Sequence, residues 1–408
     1  MKVELLLPAQ NKKSIIAVKE YANAVYFGTE ALNMRINADN FMIKDLPEIV
    51  DLCHSLNIKA YLTSNVIIYE NEIEYLENQL NLAKDAGIDA VIVHDMAAIE
   101  IAKELKLPFH ISTQASVSNS KAAQFFERLG AERIILAREL SLMKIKEIIK
   151  KLTKTQIETF VHGAMCTAIS GRCYISAEVH KDTQYSANRG KCLQPCRNKW
   201  TMVHSNGTEL EYEDGFFLNS KDLCMIEHIP ELINSGISSL KIEGRMRDPH
   251  YIETVGQCYR EAIDSFYEDT YNHSKVKKWL ENLNTVYNRG FSTGFYFDRP
   301  GVNEISRDQS GNLSKYRKIQ VGKVITYYRN VKAAKISLHQ GQLRIGDEII
   351  IEGSKMGNYI KQKIKSIQIK TKAVTQTPKL NPGTSILISV EVDSPVKKND
   401  YVYQYLPK

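Results

Sequence analysis

The chain is poor in the features that announce many functional classes. No apolar stretch among its 408 residues approaches the roughly 20 needed to cross a bilayer. The opening MKVELLLPAQNKK holds too short an apolar run for a secretory leader. Both absences lead us to expect a soluble, cytoplasmic protein with no membrane partner. Zinc-type C-x2-C pairs are missing, as are H-E-x-x-H and G-x-S-x-G. No G-x-G-x-x-G follows the first strand-like segment, which argues against a dinucleotide-binding sheet. Ser238-x-x-Lys241 has the spacing of a serine–lysine motif, but the alternation leading into Lys241 reads as a strand.

What is present in excess is cysteine, in one place. Four of the seven fall between residues 158 and 197, at Cys166, Cys173, Cys192 and Cys196. Without a secretory context, such a group suits metal ligation better than two disulfides. Four incidental or buried cysteines is the plainer alternative. Glycines precede two of them, in Gly171-Arg172-Cys173 and Gly190-Lys191-Cys192, where backbone N–H groups can approach sulfur. Arg172, Arg189, Lys191 and Arg197 would offset the negative charge of a thiolate set. These features favour an iron–sulfur cluster over zinc, although the spacing is not that of a ferredoxin. Cys53, Cys224 and Cys258 sit in helix-like patterns and read as core residues.

The first two-thirds of the chain alternates short apolar runs with amphipathic stretches. Strands are predicted at 3–7, 24–27, 59–62, 90–93, 109–112, 133–136 and 157–161, with another at 239–242. Helical patterns include 70–86 and 140–152, with Gly87 and Gly130 as candidate C-caps. Regular alternation with fully apolar strands predicts an α/β fold of TIM-barrel type. An open doubly wound sheet is the competing fold, and 216–218 is a candidate ninth strand. Residues 200–203 and 208–212, joined by Ser205-Asn206-Gly207, read as a hairpin. Domain limits are expected at 1–270 for the barrel with its cysteine segment 158–200, 271–300 for a helical and turn linker, and 301–408 for a small all-β barrel. Pro300-Gly301 marks that last border.

Polar residues follow nearly every predicted strand. Among them are Arg35, Arg138, His162, Lys221, Asp222, Glu243 and Arg245, and Lys241 lies at a strand end. Convergence at the C-terminal ends of barrel strands would make them the mouth of an active site, although each alone could be a helix cap. Charge is divided too. Residues 301–408 carry 19 Lys+Arg against 8 Asp+Glu, while the first 300 carry 35 against 39, so +11 and −4 make up the net +7. That division suits a polyanion-binding appendage, or merely a solvated lysine-rich surface. Lys361, Lys363 and Lys365 alternate along a predicted strand, a row suited either to phosphate contact or to edge protection.

Several motifs together resemble the peptidase U32 family. They are Glu158-x-Phe160-x-x-Gly163-Ala164-Met165-Cys166, Ser170-Gly171-x-Cys173, Asn188-Arg189-Gly190-x-Cys192-x-Gln194-Pro195-Cys196-Arg197, Leu218-Asn219-Ser220-Lys221-Asp222-Leu223 and Lys241-Ile242-Glu243-Gly244-Arg245. The similarity covers almost the whole chain. Within the family, length and the C-terminal extension most resemble the prephenate-dependent tRNA uridine hydroxylases. The resemblance implies a 4Fe–4S cluster on the four cysteines, tRNA as substrate, prephenate as oxygen donor and 5-hydroxyuridine at the wobble position as product. A dianionic donor calls for fixed cations, for which Arg35, Arg138, Lys221, Lys241 and Arg245 are candidates. His162 is a candidate proton shuttle, and Asp222 and Glu243 are candidates for orienting the cations or acting as base. The alternatives are a collagenase-like peptidase and a hydroxylase of another RNA or of a quinone precursor. The segment 321–348, with Val321-Gly322-Lys323-Val324, looks like the second domain of translational elongation factors. A homo-oligomer and a complex with a partner protein are both compatible with the pattern.

Overall fold

The computed structural model describes residues 2–210, 215–307, 311–353, 357–381 and 383–408. It divides into two compact units, one of Met1–Gln10 with Val18–Leu313, the other of Asn11–Ala17 with Ser314–Lys408. The division therefore falls at Leu313, not at Pro300-Gly301, and the second unit reclaims a short helix near the start, α1 (Lys12–Ala17).

The first unit is built on β1 (Glu4–Pro8), β2 (Ala24–Phe27), β3 (Lys59–Ser64), β4 (Ala90–Val93), β5 (Phe109–Ile111), β6 (Arg133–Ile135) and β7 (Gln156–Gly163). Between them run α2 (Leu46–Ser55), α3 (Ile73–Asp85), α4 (Met96–Glu104), α5 (Ser120–Leu129) and α6 (Leu142–Ile149). After β7 the chain leaves on a long excursion holding α7 (Ile175–His180) and a hairpin of β8 (Met202–Val203) and β9 (Glu209–Leu210). It returns through β10 (Asp222–Cys224), α8 (Ile229–Asn234) and β11 (Ser239–Ile242). Each barrel strand pairs in parallel with the next, and β11 pairs with both β1 and β7. The result is a closed eight-stranded parallel barrel.

Two faces of each strand are covered, one by the barrel interior and one by helices, which is why the strands read as unbroken apolar runs. Every residue of β2, β4 and β11 is buried. Leu5, Leu6 and Leu7 are fully buried, each contributing ~1.5–3 kcal/mol relative to exposure. Helix starts follow local chemistry: Asp95 accepts the Ala97 N–H at 3.0 Å, and Asn119 and Ser141 cap α5 and α6 in the same way. Gly130, at φ 97°, ends α5.

The expected ninth strand at 216–218 is not a strand. The additional strand is β10, which runs antiparallel to the end of β7 through Leu223 and Gly163 and in parallel with β12 (Phe291–Ser292). The predicted hairpin forms at β8 and β9, and Tyr212 at its expected end lies outside the described residues. Behind β11 come α9 (Pro249–Tyr267), capped by Asp248, and α10 (His273–Leu283), which packs on α9.

The second unit is an antiparallel eight-stranded sheet. Its strands are β13 (Tyr316–Tyr328), β14 (Ala333–Leu338), β15 (Glu348–Glu352), β16 (Tyr359–Lys363), β17 (Ile367–Ile369), β18 (Lys372–Val374), β19 (Ile386–Glu391) and β20 (Tyr401–Pro407). They enclose one apolar core that includes Val321, Ile336, Ile349, Ile388 and Val402. From α1, Ala17 packs against Ile350 and Tyr359.

Candidate active site at the barrel mouth

The excursion after β7 places all four clustered cysteines, Cys166, Cys173, Cys192 and Cys196, around one cavity of about 120 Å³. Tight turns bring them there. Gly190 has φ 72°, and a side chain at that position would run into the Asn33 carbonyl. Arg197 fastens the segment: it donates to the Met165 carbonyl, to the Ser220 carbonyl at 2.7 Å and to Asn219 Oδ1 at 3.1 Å. The Gln194 N–H donates to Cys192 Sγ at 3.3 Å, and the Leu193 N–H to Ser176 Oγ at 3.0 Å. The hydrogen bond to that sulfur therefore comes from Gln194; the glycines supply close approach. Burial, and then the neighbouring thiols, push the Cys173 and Cys192 thiols above their ordinary range.

Among the described residues, no three His, Cys, Asp or Glu side chains close to single-ion distance. A lone zinc would need its sulfurs about 2.3 Å from the metal. A multi-iron cluster sets each thiolate on a separate iron and so holds the sulfurs further apart. Four thiols lining one cavity, one of them receiving an N–H, are a donor set that would give each iron of such a cluster one thiolate.

Beneath this cavity, at the barrel centre, is a smaller chamber of about 40 Å³. Met34, Arg35, Gln114 and Arg138 line both spaces and form the neck between them. Arg35 pairs with Glu243 at 3.1 Å, and Arg138 approaches the same carboxylate at 3.7 Å while lying over the Phe160 ring. Burial alone would raise the Glu243 carboxyl, but Arg35, Arg138 and Arg245 hold it below its ordinary range. Arg245 is 2% exposed and is held by neutral acceptors only: Thr63 Oγ1 at 3.1 Å, Asn33 Oδ1 at 3.0 Å and Asn40 Oδ1. Burial pulls its guanidinium down to about 10, still charged at neutral pH. Lys241 is bound to Glu158 at 2.8 Å, and Glu158 also takes Arg133 at 3.0 Å. Burial opposes that charge on Glu158, but Lys241 and Arg133 hold its carboxyl at about 2.

A model of peptidase family U32 matches residues 10–306. The chain belongs to this family. A relative named as an uncharacterized protease, from Methanocaldococcus jannaschii, is 42% identical over 98% of both chains. A collagenase of Porphyromonas gingivalis is 36% identical over 98% of this chain and 97% of its own. A tRNA hydroxylation protein of Bacillus subtilis is also 36% identical, over 88% of this chain and 85% of its own. A solved U32 peptidase structure aligns with a TM-score of 0.40 over 59% of this chain and 92% of its own, at 17% identity.

The U32 motif residues do not all meet at the mouth. His162 is 2% exposed, packed among Tyr251, Tyr259 and Phe291, and lines neither space. The candidate proton shuttle is therefore a core residue, held neutral by burial at about 3. Asp222 is buried in an ion pair with Arg289 at 3.2 Å, a structural role that takes it out of the site. Lys221 lies beside Gly290 and lines neither space. Of the basic residues around the cysteines, Arg197 lines the cavity, whereas Arg189 is committed to Glu72 and the Tyr69 ring.

In the second unit, β16 ends at Lys363, so Lys365 lies outside the strand. Lys361 stands 3.9 Å from Glu348, and Lys365 pairs with Asp393. Only Lys361 and Lys363 are thus on this edge strand, and the carboxylates near Lys361 and Lys365 make the row closer to edge protection than to a bare phosphate track. Sequence reasoning missed Tyr26, Asn40, Thr63 and Phe160. Thr63 lies one residue before the end of β3, just past the predicted limit at 62.

Proposed function

We propose that this U32 protein is an RNA hydroxylase that converts the wobble uridine of tRNA to 5-hydroxyuridine, with prephenate as oxygen donor and a 4Fe–4S cluster on Cys166, Cys173, Cys192 and Cys196. The observation that carries the reading is one cavity lined by four thiols and by Arg35, Arg138 and Arg197, opening above a cationic barrel centre. Relatives named tRNA hydroxylation protein and 23S rRNA 5-hydroxycytidine synthase support an RNA substrate. The cluster would supply one-electron chemistry at the mouth. The chain's own residues do the positioning. Arg197 ties the Cys166 side of the segment to the 219–220 loop, and the Gln194 N–H steadies Cys192. The net +11 of residues 301–408 suits contact with the RNA backbone. A tRNA substrate places the enzyme in the cytoplasm.

A serine or cysteine peptidase needs a nucleophile held by a base. His162 does not line the thiol cavity, and its ring packs among Tyr251, Tyr259 and Phe291 instead. The test is a reconstituted reaction with anaerobically purified protein, unmodified tRNA, prephenate and a reductant, scored by nucleoside mass spectrometry beside a collagen-peptide cleavage assay. We expect 5-hydroxyuridine only when prephenate is present, and no cleavage. Cluster-independent cleavage without hydroxylation would overturn the reading.

A further inference from the structure

The charges around the barrel-centre chamber do not balance. Its lining includes Arg35, Arg138, Lys241 and Arg245 against one carboxylate, Glu243. Lys241 is already neutralised by Glu158. Three guanidinium groups then face a single carboxylate, leaving two positive charges in excess of the carboxylates that line the chamber. Desolvating a cation without a counter-charge costs several kcal/mol, so such an excess is retained where a ligand supplies the anion.

Unmet hydrogen-bonding capacity points the same way. Nε of Arg245 and Nε of Arg138 are both buried without an acceptor, and Oε1 of Gln114 at the neck is buried without a donor. A buried donor of this kind is normally satisfied, and a carboxylate is the acceptor that matches a guanidinium edge. The backbone is shaped for this seat. A side chain on Gly28 would stand 2.5 Å from Arg245 Nη2 and 2.7 Å from the Asn33 side chain that holds it.

We propose that the barrel-centre chamber anchors a small dicarboxylate, with Arg245 receiving one carboxylate, Arg138 and Arg35 at the neck receiving the other, and Glu243 limiting the unmet charge to two. This deepens the proposed function, on which it rests, by assigning the donor's charged end to a site separate from the thiols. At about 40 Å³ the chamber holds the anionic end alone, and the rest of the ligand rises through the neck toward the cysteine cavity. Glu243 is then a specificity residue: it occupies Arg35 and Arg138 until a ligand carboxylate shares them.

The test is calorimetric titration of the full-length, anaerobically purified protein, with no RNA and no turnover. The probes are prephenate, a dicarboxylate, and phenylpyruvate, a monocarboxylate of similar skeleton. Prephenate should bind at one site per chain and at least about tenfold tighter than phenylpyruvate. Arg245→Gln should weaken prephenate by about tenfold or more. Glu243→Gln should tighten it severalfold, because two guanidinium groups lose their internal competitor. Equal affinity for the two probes, no prephenate binding, or weaker prephenate binding by Glu243→Gln would each overturn the proposal. Should Arg245→Gln fail to fold, the probe comparison and Glu243→Gln still decide. Binding as described with no hydroxylation of tRNA would leave the anchor standing and remove the RNA reading; hydroxylation with a donor that ignores Arg245 would do the reverse.

Discussion

At the scale of single residues, burial separates the groups that act from those that only hold. His162 illustrates the second kind. Burial holds it at about 3, below the ~6.5 of an unfolded histidine. Between those values the unfolded chain takes up a proton that the folded protein refuses, so stability falls as pH drops below ~6.5, by about 1.4 kcal/mol per unit for this residue. Unfolding by denaturant at pH 7 and pH 5 should show a loss that His162→Phe reduces by roughly 2 kcal/mol. His110, also buried and shifted well down, keeps its own share in both proteins. Gly28 is the opposite case, a residue with no chemistry whose emptiness seats a functional one. Gly28→Ala should displace Arg245, cost ~1–3 kcal/mol of stability and reduce prephenate binding; unchanged binding by calorimetry would contradict that.

At the scale of elements, period and composition were enough for the barrel. Two of its strands, 24–27 and 90–93, begin and end where the apolar runs do, and 239–242 closes the ring. Burial on both faces leaves an unbroken apolar word in the sequence, and the strand is that word. The elements that were not legible are those whose partners are distant and whose length is two or three residues. β10 and β12 are of this kind, paired across some 70 residues and carrying no period of their own. The predicted strand carrying Lys361, Lys363 and Lys365 ends at Lys363, and the buried Ile364 that follows lies between β16 and β17. Mouth residues were legible as types after strands, but their partners were not. Only the fold reveals that Asp222 belongs to Arg289 and Lys241 to Glu158, while Arg245 makes no ion pair with a carboxylate among the described residues. For the cysteine excursion, Cys→Ala at position 166, 173, 192 or 196 should each remove most bound iron and sulfide. Cys53→Ala, on the buried face of α2, should leave them near roughly four of each per chain. Metal and sulfide analysis of the purified proteins checks this, and stoichiometric zinc without sulfide would contradict it.

At the scale of the whole molecule, charge is divided along the chain, and so are the proposed tasks. A near-neutral barrel carries the thiols and the chamber, while residues 301–408 carry the excess of +11. The placement of α1 in the second unit was invisible in the sequence, because contiguity suggests that residues 11–17 belong with the strands on either side. If the basic part meets the phosphate backbone, tRNA affinity should fall steeply and linearly on a log–log plot as salt rises. Filter binding over a range of salt checks this, and a flat profile would assign the charge to solvated surface. The central claim, that the four thiols serve an RNA hydroxylase, is tested most directly by nucleoside mass spectrometry of tRNA from a strain lacking this chain. We predict that 5-hydroxyuridine and its derivatives disappear, return with the native protein and stay absent with Cys166→Ala. Unchanged wobble modification in the deletion strain, or full restoration by Cys166→Ala, would contradict the account.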